Sequence, residues 1–292
     1  MSVVNVAHVT RRSALCVPAG DDRKLTKALE SGADEVVVDL EDAVAYDDKD
    51  RARAQLAAFV WPAGGPHVAV RVNAVGTPWC HRDLEVAASI PRVTSVVLPK
   101  VESRADIGFV ERLLAGLEAE VGRADAVGVQ ALVETAAGVV ALADIVSDVR
   151  RLSAVIVGYA DLAASLGRAR DLEPAAWRAI QDAIVLHSRA ARVAAIDGPF
   201  LGVADDEPFR GSVADAVALG FDAKWVIHPR QVAGVNGGFT PSEDEVDHAR
   251  RVLSTLEDVA TAGRGAAVVD GALVDEAMAR AARQVLAKVA GG

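Results

Sequence analysis

Val36-Val37-Val38-Asp39-Leu40-Glu41-Asp42 is a continuous apolar run that ends in three carboxylates within four residues. A strand that is apolar at every position, rather than at alternate ones, has to be covered on both faces, which is the condition of a parallel sheet packed between helices. Acids placed directly after such a strand fall at its C-terminal end, where α/β enzymes collect their functional groups. The pattern recurs along the chain. Strands are expected at 14–17, 35–40, 68–72, 95–98, 126–133, 154–157, 194–196 and 224–227, and several, such as Val155-Ile156-Val157, are again apolar throughout. Stretches of helical period lie between most of them, at 22–31, 47–59, 103–121, 137–144, 174–193 and 210–219. Eight strands in this rhythm predict a closed (β/α)8 TIM barrel, here over residues 1–240, rather than an open sheet.

The residues just past each strand are more informative still. Asp39, Glu41 and Asp42 come after the second, Arg71 and Asn73 after the third, Lys100 and Glu102 after the fourth. Glu134, Asp161, Asp197 and His228 come after later ones. In a closed parallel barrel these ends share one mouth, so groups distant in sequence meet there. Strand alternation places Asp39 with Glu41, Arg71 with Asn73, and Lys100 with Glu102 on common sides. Each residue also has an ordinary structural role open to it. Glu134 suits the first turn of a helix, Arg71 and Lys100 suit ion pairs with these acids, and His228 before Pro229 suits a hydrogen-bonded turn. Coincidence at seven strand ends favours a site.

Composition bounds the partners. The chain has 292 residues and a formal net charge of −10, so it carries no evident basic face for nucleic acid. Its longest uncharged stretch, 54–70, is interrupted by Pro62, Gly64, Gly65 and Pro66, short of the ~20 apolar residues a bilayer span requires. Arg11-Arg12 could open a twin-arginine signal, but Asp21-Asp22 end the apolar segment behind it, and cytoplasmic residence is expected. Cys16 and Cys80 are too few and too far apart for a thiolate cluster or a disulfide framework, and read as packing residues.

Carboxylates at a barrel mouth without a His or Cys cluster favour a hard divalent cation with oxygen ligands, Mg²⁺ over Zn²⁺. Magnesium leaves positions for a bidentate 2-oxo or 2-hydroxy acid, whose carboxylate an arginine fork can grip while the ion polarises the neighbouring carbonyl. Such a constellation suits carbon–carbon bond making or breaking through an enolate. The chain lacks a phosphate loop, a dinucleotide fingerprint, a zinc-protease motif and a nucleophile elbow. A Schiff base on Lys100 ranks lower, because it would leave the acids and Arg71 without a task.

In order along nearly the whole chain stand Arg12-Ser13-Ala14-Leu15 with Val17-Pro18, Val38-Asp39-Leu40-Glu41-Asp42, Lys49 with Ala52-Arg53, and Val70-Arg71-Val72-Asn73. Next come Thr77-Pro78-Trp79, Leu98-Pro99-Lys100-Val101-Glu102, Val133-Glu134-Thr135-Ala136, Gly158 to Leu162, Ile196-Asp197-Gly198-Pro199-Phe200 and Ile227-His228-Pro229 with Gln231. With these fragments the chain resembles the citrate lyase beta-subunit-like proteins, near relatives of malyl-CoA lyases in the HpcH/HpaI aldolase superfamily. The resemblance implies a barrel lyase that acts on CoA thioesters of hydroxy acids, with Mg²⁺ held by Glu134 and Asp161. It implies that Arg71 holds the carboxylate of the oxo-acid half, that Asn73 and Lys100 join it in binding substrate, and that Asp39, Glu41 and Asp42 orient water and ligands from behind. It makes Asp275 the catalytic acid/base, supplied by a neighbouring subunit of a homo-oligomer, a trimer or a multiple of one. Thioester hydrolysis after cleavage is a further activity of such relatives. Two other readings are a citrate lyase beta subunit acting on an acyl-carrier-protein thioester within a complex, and a barrel that binds oxo acids without catalysis. Tyr159 and Ala160 before Asp161, and Ala223, depart from the family's usual residues, and Tyr159 is expected to narrow the pocket.

Residues 241–292 form an extension with its own signals. Ser242 and Glu245 read as a capping box, opening a helix with the apolar stripe Val246, Ala249, Leu253, Leu256 and Ala260. Asp270-Gly271 marks a hairpin over 266–273, and a last helix runs through Ala277, Ala281 and Val285. By its pattern alone the extension covers either its own barrel or a neighbour's; the resemblance favours the neighbour.

Overall fold

The computed structural model describes residues 10–148, 150–169, 174–261, 267–270 and 272–290. Contacts group the chain into two compact units, Met1–Asn236 and Gly237–Gly292.

The first unit alternates strand and helix. Its elements are β1 (Ser13–Pro18), α1 (Asp22–Leu29), β2 (Glu35–Asp39), α2 (Lys49–Ala58), β3 (His67–Arg71), α3 (Cys80–Ser89), β4 (Val93–Leu98), α4 (Arg104–Val121) and β5 (Gly128–Val133). After them come α5 (Ala136–Val140), α6 (Leu142–Ile145), β6 (Leu152–Val157), α7 (Tyr159–Ser165), α8 (Arg178–Ala191), β7 (Ala194–Asp197), α9 (Glu207–Leu219) and β8 (Ala223–Val226), and α10 (Val232–Phe239) spans the boundary at Asn236. Each strand pairs in parallel with its successor, and β8 returns to β1 with Ala14 opposite Trp225, so the barrel closes at eight strands as expected. The run 36–38 is wholly buried at the centre of β2.

Local chemistry explains most element ends. The Ser103 and Asp106 capping box opens α4, and Gly122 closes it in the left-handed conformation. Helix α9 starts at Glu207, three residues before the periodic pattern places it, because Asp206 caps the Phe209 N–H and Pro208 suits a first turn. The stretch read as one helix at 137–144 is two, meeting at Ala141. Helices α3 and α7 lie outside the expected helical stretches, although α3 buries Cys80, Leu84, Ala87 and Ala88 on one face; α7 is only seven residues long.

Inward-facing side chains fill the barrel. Ala14, Val37, Ala69, Val97, Leu132, Ile156, Ile196, Ala223 and Trp225 make a dry waist, each fully buried Val, Leu or Ile contributing about 1.5–3 kcal/mol. Below it, at the N-terminal ends of the strands, Glu35 accepts hydrogen bonds from Arg11 NH1 at 3.2 Å and Gln130 Nε2 at 2.9 Å, and Gln130 also donates to Ser95 Oγ at 2.8 Å. Above the waist the inward positions become Asp39, Arg71 and Glu134.

The second unit packs α11 (Glu243–Thr261) and α12 (Glu276–Ala290) with the antiparallel pair β9 (Ala267–Val269) and β10 (Ala272–Val274). Ala249, Val252, Val269, Val274 and Ala282 form its core. The Ser242 hydroxyl and the Glu245 carboxylate cap α11 reciprocally. Residue 266 and Gly271 of the expected hairpin lie outside the described residues, while Asp270 adopts φ 50°, the turn conformation that an Asp-Gly pair favours.

Candidate active site

Arg71 is the last residue of β3 and stands in register with Asp39, the last of β2. Its fork closes on that carboxylate, Nε to Oδ1 at 2.8 Å and NH2 to Oδ2 at 2.6 Å, and NH1 lies 2.9 Å from Glu41 Oε2. Asp39 also accepts the N–H groups of Glu41 at 2.8 Å and Ala43 at 3.1 Å. Those bonds curl the β2–α2 loop so that Glu41 turns back over the mouth. Burial works against the Arg71 charge, but the hydrogen bonds and charge of Asp39 outweigh it and raise its pKa. The guanidinium also rests over the Trp225 ring, 5.9 Å from its centroid.

Lys100, two residues beyond β4, adopts φ 53°. A left-handed backbone at a residue other than glycine costs about 1–3 kcal/mol and is concentrated at functional sites. It turns the Lys100 N–H onto Glu134 Oε1 at 2.9 Å, while the ammonium bonds Glu41 and lies 3.3 Å from Asp161 Oδ2. One residue thereby ties together acids from three strand ends. Burial opposes its charge, yet Glu41 more than compensates and its pKa is raised. A lysine held protonated is no nucleophile, which weighs against a Schiff base.

Glu134 lies directly after β5 and is buried. Burial chiefly, with the charges of Glu41 and Asp161 adding and those of Lys100 and Arg71 opposing, pushes its carboxyl up to about 8. Among the described residues its Oε2 accepts no hydrogen bond. Glu41 is likewise raised, first by burial, against the pull of Arg71 and Lys100. Gly158 explains how α7 comes close: a Cβ there would fall 2.6 Å from both Cβ and Oε2 of Glu134. The same helix presents Asp161 in its first turn. Tyr159, expected to narrow the pocket, directs its hydroxyl to Asp197 and accepts from Gln181 Nε2 at 2.6 Å. Asp197 is itself paired with buried Lys224.

The structure therefore brings together Asp39, Glu41, Arg71, Lys100, Glu134 and Asp161. Asp42 sits at the margin, 61% exposed and 3.9 Å from Arg71 NH1. Asn73 is buried and its amide is spent inside the chain, on Leu40 O at 3.0 Å and Asp83 Oδ2 at 2.7 Å. Alternation fails to keep Arg71 beside Asn73, or Lys100 beside exposed Glu102, because Asn73, Lys100 and Glu102 lie past the strand ends, where the two-residue period no longer applies. Asp275 belongs to the second unit, where it is exposed and its Oδ1 caps α12 through the N–H groups of Ala277 at 2.9 Å and Met278 at 3.3 Å. His228 accepts the Arg230 N–H and holds a turn. Lys49, Asp83 and Lys224 are buried charged residues near this architecture to which the sequence assigns no role. A charge inside an element looks the same in sequence whether it faces water or a partner.

Among the described residues no group of three or more His, Cys, Asp or Glu side chains is arranged to hold a metal ion. Two carboxylates are present, Glu134 with Oε2 uncommitted and Asp161 at its edge, in a mouth where acids outnumber bases. That donor set fits a hard cation that completes its shell with water and substrate oxygen.

A family model described as HpcH/HpaI aldolase/citrate lyase matches residues 12–229. An L-malyl-CoA/beta-methylmalyl-CoA lyase of Rhodobacter capsulatus is 34% identical over 298 residues, covering 94% of this chain and 93% of that protein. A (3S)-malyl-CoA thioesterase of Cereibacter sphaeroides is 35% identical over 279 residues, covering 95% and 94%. Among solved structures, protein CitE from Mycobacterium tuberculosis in complex with magnesium, acetoacetate and coenzyme A superposes with a TM-score of 0.80 at 31% identity, covering 97% of this chain and 100% of that one.

Proposed function

The chain belongs to the HpcH/HpaI aldolase/citrate lyase family, and from that premise we propose that it is a Mg²⁺-dependent carbon–carbon lyase for 3-hydroxyacyl-CoA thioesters of the malyl-CoA type. The observation that carries the reading is the convergence of Glu134 and Asp161 on Lys100 in an acid-rich mouth beside Arg71. Relatives bearing malyl-CoA lyase and thioesterase names support the substrate class. Bound by Glu134 and Asp161, Mg²⁺ would polarise the ketone and offset negative charge on its oxygen.

The remaining work falls to this chain's side chains. Asp39 fixes Arg71 through Nε and NH2, which leaves NH1 facing the mouth. NH1 also pairs with Glu41 Oε2 at 2.9 Å, so a substrate carboxylate would share this edge of the guanidinium with Glu41. Lys100 holds Glu41 and Asp161 in place and adds positive charge beside the developing oxyanion. A base takes the hydroxyl proton, the oxygen's electron pair forms the ketone, and the bond between the carbinol carbon and the carbon next to the thioester breaks with its electrons passing to the thioester side. The products are a 2-oxo acid and an acyl-CoA enolate. Asp275 from a neighbouring subunit would protonate that enolate, its Oδ2 uncommitted while Oδ1 caps α12. Asn73, whose amide is engaged within the chain, would act on substrate through the loop it holds. The reading carries with it a homotrimer or a multiple of one, with residues 241–292 lying on the neighbouring barrel, and cytoplasmic residence. No helix among the described residues is long and apolar enough to cross a membrane.

Purified protein incubated with Mg²⁺ and malyl-CoA, with products weighed by mass spectrometry, should yield glyoxylate and acetyl-CoA. Free malate in their place would make the chain a thioesterase. Failure to cleave malyl-, methylmalyl- and citramalyl-CoA alike would overturn the lyase.

A further inference from the structure

The loop that carries Glu41 is fastened from behind by side chains that never reach the mouth. Asp83, in the first turn of α3, is completely buried. Its Oδ1 accepts from Arg53 Nε at 2.8 Å, and its Oδ2 accepts from Asn73 twice, the backbone N–H at 2.9 Å and Nδ2 at 2.7 Å. The same Asn73 amide donates to Leu40 O at 3.0 Å. Lys49 Nζ donates to Leu40 O at 3.0 Å and to Glu41 O at 2.9 Å, and it lies over the Trp79 ring, 5.4 Å from the centroid. These are the two carbonyls on either side of the Glu41 Cα. With the Glu41 N–H bonded to Asp39 Oδ1 at 2.8 Å, every polar group of that backbone is tied down.

An ion pair buried this completely is a weak source of stability, since apolar packing of equal volume is often as stable. What it supplies is direction. We propose that Asp83 is a positioning residue: through Asn73, and together with Lys49, it fixes the Glu41 backbone so that the Glu41 carboxylate meets Arg71 and Lys100 at one set angle. Among the described residues Glu41 is the only side chain ion-paired to both of these cations. If it swings, the Lys100 ammonium moves with it while Asp39 keeps Arg71 in place, and the carboxylate-gripping and cation-holding sides of the site lose their mutual alignment. The role rests on the lyase reading of the mouth. It gives a task to Lys49, Arg53 and Trp79, which the reaction itself leaves without one.

The test is a double-mutant cycle on malyl-CoA cleavage with Asp83→Asn, Glu41→Gln and the pair. Misplacement of about 1 Å costs up to ~10²-fold, so Asp83→Asn alone should lower kcat about 10- to 100-fold. Mg²⁺ affinity by calorimetry should stay unchanged. In the Glu41→Gln background the same change should cost less than about twofold, because the residue it acts through is already disabled. Equal losses in both backgrounds would overturn the proposal. Should Asp83→Asn fail to fold, Asn73→Ser enters the same cycle, since it keeps the Arg53–Asp83 pair and removes the donor to Leu40 O. Hydrogen exchange gives a readout independent of turnover: the amides of Leu40 and Val44 should exchange faster in the variant while the rest of the barrel keeps its protection, and unchanged protection at both would count against Asp83. A wild-type protein that cleaves no thioester would sink the lyase and leave the exchange comparison to judge Asp83.

Discussion

At the floor of the barrel Arg11 meets Glu35, one charge against one, with Gln130 and Ser95 completing a neutral network. At the mouth Arg71 and Lys100 face Asp39, Glu41, Glu134 and Asp161, two cations against four carboxylates. The floor is fully buried, and at the mouth Asp39, Glu41 and Glu134 are buried while Lys100 and Asp161 are partly exposed. Where water is kept out, an uncompensated charge is costly. The floor cancels its charge within the chain. The mouth does not: burial first, with the charges of Glu41 and Asp161 adding to it, pushes the Glu134 carboxyl up to about 8. Its deficit of two positive charges is that of one divalent cation. The contrast separates a polar network that serves the fold from one built around something yet to arrive.

Substitutions at the two poles should accordingly fail in different ways. The largest effect is expected from Glu134→Gln, which should remove Mg²⁺ binding and lower kcat roughly 10³-fold, the worth of several kcal/mol at the transition state. Its effect on stability should have the opposite sign. The folded-state pKa of about 8 lies above the ordinary glutamate value, so the metal-free wild type binds more protons folded than unfolded in that window and loses stability as pH rises through it. Thermal melts of Glu134→Gln should be flat over the same range. Next, Arg71→Lys replaces a fork that grips Asp39 bidentately with a point charge, and should raise the KM for the oxo acid in condensation about 100-fold with a smaller change in kcat.

At the floor, Glu35→Gln should cost about 1–3 kcal/mol in denaturant melts, because Arg11 is left buried without its counter-charge, yet kcat should stay at the wild-type level. A floor variant that is stable but inactive would break the comparison. The gentlest test is pH: Mg²⁺ affinity should improve by about tenfold per unit up to about pH 8 and level off above it, as the ion competes with the Glu134 proton.

Much of this was readable in the chain. Runs such as 36–38 and 155–157 announce strands buried on both faces, and the groups behind them announce a shared mouth, because strand direction alone sends them there. Asp39, Glu41, Arg71, Lys100, Glu134 and Asp161 meet as that logic requires. It falters where the backbone leaves the strand. Asn73 lies beyond β3 and turns to Asp83, and Lys100 reaches Glu134 through a left-handed backbone that no period describes. The roles of Asp83, Lys49 and Lys224 stay hidden for another reason. Asp83 shares the buried face of α3 with Cys80, Leu84 and Ala87, where a charge has no place in the apolar pattern, and a buried ion pair is defined by a partner far away in sequence, such as Asp83 with Arg53 across 30 residues.

Titration calorimetry of Mg²⁺ into the metal-free protein at pH 7, repeated in two buffers of different ionisation enthalpy, addresses the central claim most directly. The acid-rich mouth predicts one ion per chain and release of about one proton, that of Glu134, on binding. Glu134→Gln and Asp161→Asn should each abolish that heat. Binding that survives both substitutions, or no binding to the wild type at all, would contradict the account.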